Sequence, residues 1–191
     1  MHSPTLIPRS LALITLFLAC LGPAQARAGI VVNGGFETGD FTGWTRSGNL
    51  ADTGVTTGIA NSGSYAAYLG PAETLGFLSQ QLATTVGTTY ILNLYLQSDG
   101  LTPNEFQVTF GGMTFDRTDL TAFNYTQEAF RLTATSSSTL LQFGFRNDNG
   151  DFFLDDVSVA AVVPEPRSIA LSMQMAAAGL LWWAYKRRTS A

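Results

Sequence analysis

The stretch Tyr90-Ile91-Leu92-Asn93-Leu94-Tyr95-Leu96-Gln97 has an apolar residue at every second position. Successive side chains of a β-strand point to opposite faces, so this period of two predicts a strand with one buried face. Leu92, Leu94 and Leu96 would face a core. Asn93 and Tyr95 would then share the opposite face.

The same pattern recurs on both sides of this strand, and no segment of the middle of the chain keeps a helical period. Glycine and asparagine pairs separate the repeats: Gly111-Gly112 predicts a turn and Asn149-Gly150 a tight hairpin. Short strands at this spacing predict an all-β fold, an antiparallel two-sheet sandwich or jelly roll. The predicted core-facing sets are Phe106, Val108 and Phe110; Phe130, Leu132 and Ala134; Leu141, Phe143 and Phe145; and Phe153, Asp155, Val157 and Val159.

Residues 1–28 have the organisation of a secretory signal peptide. Arg9 precedes an apolar run from Leu11 to Leu21, a Gly-Pro break follows, and Ala24-Gln25-Ala26 offers a small-x-small cleavage site. We expect signal peptidase to cut after Ala26 or Ala28. Cys20 raises the alternative of a lipoprotein, but the usual leucine three residues upstream is missing.

Residues 162–191 form a second processing segment. Pro164-Glu165-Pro166 leads into an uncharged stretch from Ser168 to Tyr185, which ends at Lys186-Arg187-Arg188. As a helix that stretch would be about 27 Å long, just enough for a hydrocarbon core, and the basic residues would act as a membrane stop on the cytoplasmic side. An ordinary single-pass anchor is the alternative.

This three-part pattern resembles a PEP-CTERM sorting domain. The resemblance implies that a membrane-embedded exosortase processes the tail near the Pro-Glu-Pro motif, and that the protein associates with extracellular polysaccharide. An inner-membrane intermediate would then precede release to the cell surface or extracellular matrix. The two prolines remove backbone donors and keep the junction extended, which suits a processing site.

Residues 29–161, the predicted ectodomain, are strongly acidic. Between Gly29 and Val163 four arginines and no lysine face thirteen acidic residues, a net charge of −9. This charge disfavours nucleic acid as a partner. The segment also has no histidine and no cysteine, so it lacks the residues for a Ser-His-Asp triad, a cysteine nucleophile or a histidine-based zinc site. We expect no enzyme activity, although paired carboxylates leave a polysaccharide hydrolase as the least favoured alternative.

Three stretches of the ectodomain resemble galactose-binding-like and carbohydrate-binding-module jelly rolls. They are Val31 to Glu37 with Gly43-Trp44, Leu78 to Leu82, and Phe153 to Val159. The resemblance implies a structural calcium ion held by Glu37 and Asp155, with backbone carbonyls of residues 61–63 completing the ligand set. The competing interpretation is that Asp155 caps a turn or pairs with an arginine such as Arg46.

Function therefore has a main interpretation and one close alternative. The main one is a non-catalytic, exported matrix protein sorted by an exosortase and associated with exopolysaccharide. The alternative is a lectin-like module that binds a glycan through Tyr95 and Asn93, since an aromatic face beside an amide suits a sugar ring. Trp44 is expected to fill the end of the core rather than to bind sugar.

Overall fold

The computed structural model of the chain describes residues 29–162. The predicted signal peptide, the Pro164-Glu165-Pro166 motif, the apolar stretch and the basic residues Lys186, Arg187 and Arg188 lie outside the described residues. Within residues 29–162 no helix has the length and apolarity needed to cross a membrane.

Ten strands and no helix make up the described domain, which confirms the all-β prediction. The strands are β1 (Thr45–Gly48), β2 (Thr53–Thr57), β3 (Tyr65–Leu69), β4 (Gly76–Ala83), β5 (Thr89–Ser98), β6 (Asn104–Phe110), β7 (Met113–Thr118), β8 (Phe123–Thr133), β9 (Ser138–Asn147) and β10 (Phe152–Ala161). They form two five-stranded antiparallel sheets, β1-β4-β9-β6-β7 and β2-β3-β10-β5-β8. We call these the first and the second sheet.

The alternation of β5 is confirmed. Leu92, Leu94 and Leu96 are fully buried between the sheets, whereas Asn93 and Tyr95 are half-buried on the outer face of the second sheet. The predicted turn at Gly111-Gly112 is also confirmed. It joins β6 to β7 with both glycines at positive φ (59° and 85°), the backbone that a two-residue hairpin requires.

The predicted hairpin at Asn149-Gly150 is wrong. The strands that flank it, β9 and β10, belong to different sheets and do not pair with each other. The turn carries the chain across the sandwich instead. Turn residues report a change of direction but not which strand the chain pairs with next.

The predicted face of the last strand is also wrong. Phe152 and Leu154 face the core in the first half of β10, and Val157 and Val159 face it in the second half. A β-bulge between Asp155 and Ser158 inserts one extra residue and shifts the alternation. Phe153 therefore points away from the core side that Val157 occupies.

Aromatic rings fill one end of the core. The Phe106 ring lies 6.1 Å from that of Phe143 and 5.5 Å from that of Phe152, and the Trp44 ring lies 5.8 Å from that of Phe143. Trp44 is 7% exposed, and its indole N–H donates to the Asn33 carbonyl at 3.0 Å. Its predicted place in the core is confirmed.

The buried face of β5 predicts the cost of a core truncation. Leu94→Ala should lower the free energy of unfolding by about 2–5 kcal/mol, because it removes buried apolar surface and leaves a cavity. Urea denaturation of the chain measures this. Met113→Ala is the control: Met113 is 44% exposed beside the hairpin turn, and its truncation should change stability by less than about 0.5 kcal/mol. Equal losses in the two variants would contradict the assigned faces.

Candidate functional site

The outer face of the second sheet gathers aromatic and amide side chains. Strand register places Phe153 of β10 between Tyr68 of β3 and Gln97 of β5, and Tyr95 of β5 between Asp155 of β10 and Gln127 of β8. Because side chains alternate along a strand, Asn93 and Tyr125 share this side. We call this set the aromatic face; its members are Tyr68, Asn93, Tyr95, Gln97, Tyr125, Gln127 and Phe153.

Most side chains of the aromatic face are half-buried, so their rings are held in place while part of each surface meets solvent. Tyr68 has room to lie over β2 because its register partner there is Gly54, where even a Cβ atom would lie 2.6 Å from the ring. Gln127 donates its amide N–H to the Asn93 side-chain carbonyl at 3.3 Å. The face thus combines fixed rings with amide groups that retain unused donors and acceptors.

The outer face of the first sheet differs. Among its described outward positions the only aromatic residue is Phe77. The Phe77 ring lies between glycines at positions 48 and 144, which have no side chain to pack against it. The two sheets therefore offer a matched comparison within one domain: an aromatic row on one side and a single ring on the other.

Tyr125 contributes an unusual polar group to the aromatic face. Its hydroxyl is buried and has no hydrogen-bond partner among the described residues. Burial raises the pKa of Tyr125 well above its usual value, and the nearby charges of Asp155 and Asp156 raise it further. A phenol in this environment stays protonated, and its unpaired hydroxyl costs free energy.

Next to Tyr95 on the outer side of the second sheet, the Asp155 carboxylate, together with that of Glu37, holds the loop of residues 61–65. Asp155 is fully buried and accepts the backbone N–H groups of Asn61 at 2.8 Å and Ser62 at 3.2 Å through Oδ2. Glu37 accepts the N–H groups of Ser64 at 2.9 Å and Tyr65 at 3.0 Å through Oε1. Burial raises the pKa of Asp155, and the amide donors act in the opposite direction.

The structure brings the predicted calcium ligands Glu37 and Asp155 to one loop, but with N–H groups facing them. Calcium prefers carboxylate, carbonyl and water oxygens, and positively polarised N–H groups occupy the approach to both carboxylates. Among residues 29–162, no three acidic, histidine or cysteine side chains lie close enough to hold a metal ion together. This donor set does not fit a calcium ion, and the predicted ion at Glu37 and Asp155 stays a prediction. The contacts of Asp155 are those of a loop cap.

Arg46 is engaged elsewhere. Its guanidinium lies 5.5 Å from the centre of the Phe41 ring, at a pocket of about 480 Å³ that Trp44 and Val55 also line. The ion pairs within residues 29–162 join Arg117 to Glu128 and Arg146 to Asp148. Arg46 therefore forms no ion pair with Asp155 in the described part of the chain.

Sequence reasoning found part of the aromatic face. Asn93 and Tyr95 lie where the alternation of β5 predicts them. Alternation predicts Phe153 on the core side because nothing in the sequence marks the bulge between Asp155 and Ser158. No sequence pattern points to Tyr125 or Gln127. The pairing of β8 with β5, which brings those two residues beside Tyr95, is a long-range contact.

Solved carbohydrate-binding modules share this jelly-roll architecture. The domain is similar to TmCBM61, solved in complex with β-1,4-galactotriose, with 21% identity and a TM-score of 0.59 over 70% of this chain and 99% of that one. The domain is also similar to the family 16 carbohydrate-binding module-2, with 17% identity and a TM-score of 0.54 over 69% of this chain and 99% of that one. With the CBM22-1 xylan-binding domain of Paenibacillus barcinonensis Xyn10C it shares 21% identity and a TM-score of 0.52, over 73% of this chain and 99% of that one.

At these identities the likeness establishes the fold alone. No family model matches the sequence, and no curated protein matches it either.

The loop contacts predict a selective loss of stability. Asp155→Asn should lower the free energy of unfolding by about 2–3 kcal/mol, because the new NH₂ group faces backbone N–H groups that lose their acceptor. Thermal and urea denaturation measure the change. Asp156→Asn is the control, since Asp156 contacts the loop only through exposed side-chain atoms and its positive φ of 50° suits asparagine. A loss for Asp155→Asn no larger than that of the control would contradict the role of Asp155 as a cap.

Proposed function

We propose that the chain binds a carbohydrate polymer through the aromatic face of its second sheet. The observation that carries this proposal is the row of Tyr68, Phe153 and Tyr95 on three neighbouring strands, flanked by the amides of Asn93, Gln97 and Gln127. A sugar ring has an apolar face that packs on an aromatic ring and hydroxyl groups that need donors and acceptors. Binding sites of this type combine apolar surface with a few placed polar groups.

The dimensions suit a chain rather than a single sugar. Tyr68 and Tyr95 lie on β3 and β5, which are two strands apart in the second sheet. At the usual strand spacing this separates them by about 10 Å across the strands, with Phe153 on the strand between. A linear glycan that crosses the strands would meet more than one ring.

The charge of the domain favours a neutral glycan. The nine net negative charges between residues 29 and 163 repel polyuronates and sulfated polymers, and the charges of Asp155 and Asp156 act on Tyr125 of the aromatic face itself. The structures to which the fold is similar include one with a bound galactotriose and one described as xylan-binding. Both are neutral sugars, which supports the same class of ligand here.

The two ends of the sequence supply the proposed location. We propose that signal peptidase removes residues 1–28, that the tail then holds the chain transiently in the inner membrane, and that an exosortase processes it near Pro164-Glu165-Pro166. The released domain would bind exopolysaccharide at the cell surface or in the matrix. The sequences of residues 1–28 and 162–191 support this location.

Substitutions on the aromatic face test the binding proposal. Tyr95→Ala and Phe153→Ala should each raise the Kd for a neutral polysaccharide at least tenfold, equivalent to about 1.4 kcal/mol, because each removes a stacking surface. Affinity electrophoresis in β-1,4-galactan, xylan and the producing cell's exopolysaccharide measures this. Phe77→Ala, on the outer face of the first sheet, should leave affinity unchanged. A loss of affinity in Phe77→Ala alone, or no binding of any neutral glycan by the folded parent chain, would rule the proposal out.

Mass spectrometry of the protein recovered outside the cell tests the sorting proposal. The expected amino terminus follows Ala26 or Ala28, and the expected carboxyl terminus lies near Pro164-Glu165-Pro166. Deletion of the exosortase should leave the full tail on the protein and keep it with the membrane. An extracellular protein that still carries Lys186, Arg187 and Arg188 would refute the processing step, and would leave the binding proposal standing.

A further inference from the structure

The pocket of about 480 Å³ is built from the edge strands of both sheets. β1 lies at the edge of the first sheet and β2 at the edge of the second. The walls are residues 39–42, Trp44 just before β1, Arg46 on β1, and Gly54 and Val55 on β2. The pocket therefore opens beside the second sheet, at the edge strand that follows β3 in the sheet order.

A single asparagine fixes the loop that forms one wall of this pocket. The Asn33 side-chain N–H₂ donates to the Asp40 carbonyl at 3.0 Å and to the Thr42 carbonyl at 3.1 Å. Its Oδ1 accepts the Thr38 N–H at 3.3 Å. Groups that are held in place before a ligand arrives lose less conformational entropy when it binds. The loop is therefore a preorganised wall rather than a loose surface turn.

Arg46 offers hydrogen-bond donors to the pocket. Its register partner on β4 is the core-facing Leu78, so the Arg46 side chain leaves the inner side of the first sheet, at the edge. The guanidinium lies over the Phe41 ring, 5.5 Å from the ring centre. Neither ion pair found in residues 29–162 includes Arg46. Stacking uses the face of the guanidinium, and the N–H donors in its plane stay available.

Asp40 adds an acceptor to the same pocket. Its Oδ1 accepts the Thr38 hydroxyl at 2.7 Å and the Thr42 N–H at 2.9 Å, whereas Oδ2 accepts no hydrogen bond from the described residues. A sugar hydroxyl both donates and accepts, so a neutral sugar unit satisfies Arg46 and Asp40 together. An anionic unit would be repelled by Asp40, which agrees with the acidic character of the domain.

Strand register leads from the aromatic face directly to this pocket. Gln97 of β5 is aligned with Phe153 of β10, Phe153 with Tyr68 of β3, and Tyr68 with Gly54 of β2. We call these four residues the cross-strand row. At the usual strand spacing the row is about 14 Å long, and its last member, Gly54, lines the pocket.

The ring of Tyr68 covers the last step of the cross-strand row. A Cβ atom on Gly54 would lie 2.5 Å from the Tyr68 hydroxyl oxygen, so the ring extends from β3 over β2. The stacking surface therefore continues to the strand that borders the pocket.

We propose that this pocket is the end subsite of the glycan-binding face, where Arg46 and Asp40 hold one neutral sugar unit beside Phe41. This role depends on glycan binding at the aromatic face, the proposed function, and extends it. The glycan would lie across the strands from β5 to β2 and end at the edge of the sandwich. A chain long enough to cover both the cross-strand row and the pocket then binds more tightly than a chain that covers the row alone.

The dependence of affinity on chain length tests this subsite. Isothermal titration calorimetry of the 191-residue chain compares β-1,4-galactotriose with β-1,4-galactohexaose, and xylotriose with xylohexaose. In the series that binds, the hexasaccharide should have a Kd lower by about fivefold or more, because it alone reaches the pocket. Arg46→Ala should remove most of this advantage and change the Kd of the trisaccharide by less than about twofold.

Arg131→Ala is the matched control for the lost charge. Arg131 is exposed on β8, and its register partner is Ile91, which lies on β5 far from Gln97 of the cross-strand row. The variant should bind both lengths as the parent chain does. Equal effects of Arg46→Ala and Arg131→Ala on the hexasaccharide would show that net charge, and not the pocket, sets the affinity, and would overturn the subsite.

Amide chemical shifts locate the end unit without any substitution. Residues 39–42 should shift with the hexasaccharide and stay unchanged with the trisaccharide. Equal Kd values for the two lengths, or an Arg46→Ala variant that binds the hexasaccharide as the parent does, would overturn the subsite and leave the aromatic face standing. An equal loss for both lengths in Arg46→Ala would overturn it too. A parent chain that binds neither series would overturn both proposals.

Discussion

Two neighbouring interior strands of the second sheet, β10 and β5, each contribute side chains both to the core and to the outer face of the sheet. Alternation gives β5 a core face of leucines and an outer face with Asn93 and Tyr95. β10 meets the same demand only because the bulge between Asp155 and Ser158 adds one residue. Phe152 and Leu154 before the bulge, and Val157 and Val159 after it, all reach the core, while Phe153 turns outward beside Tyr68. The aromatic face and the cap at Asp155 both depend on this one irregularity.

How much of this is readable from the sequence depends on whether the determinant is local. The strand at Tyr90 to Gln97, the turn at Gly111-Gly112 and the burial of Trp44 follow from neighbouring residues, and the structure confirms them. The crossover at Asn149-Gly150 and the outward position of Phe153 depend on partners far along the chain, such as Tyr68 and Gln97. A turn motif does not specify which strand the chain pairs with next, and the alternation of apolar and polar residues does not show where a bulge lies. Alternation therefore predicts the outward position of Tyr95 and Asn93, and strand pairing places the other five members of the aromatic face beside them.

The acidic residues of the domain differ in what stabilises their charge. Asp148 pairs with Arg146 at 2.7 Å, and the hydrogen bonds of that guanidinium lower the pKa of Asp148 to about 2. Asp155 and Glu37 receive backbone N–H groups. Asp151 receives neither, and burial together with the charges of Asp99 and Asp52 raises its pKa. Four arginines cannot neutralise thirteen acids, so a domain of this composition depends on backbone N–H groups to stabilise the remaining carboxylates. The same excess of negative charge selects against anionic glycans at the aromatic face.

Titration of a neutral oligosaccharide into the isotopically labelled protein, followed by amide chemical shifts, tests whether a neutral glycan binds across the outer face of the second sheet. We expect the largest shifts on β3, β10, β5 and β8, centred on Tyr68, Phe153 and Tyr95, with β4 and β9 of the first sheet unchanged. Shifts confined to the first sheet around Phe77, or no shifts with any neutral oligosaccharide, would contradict the account.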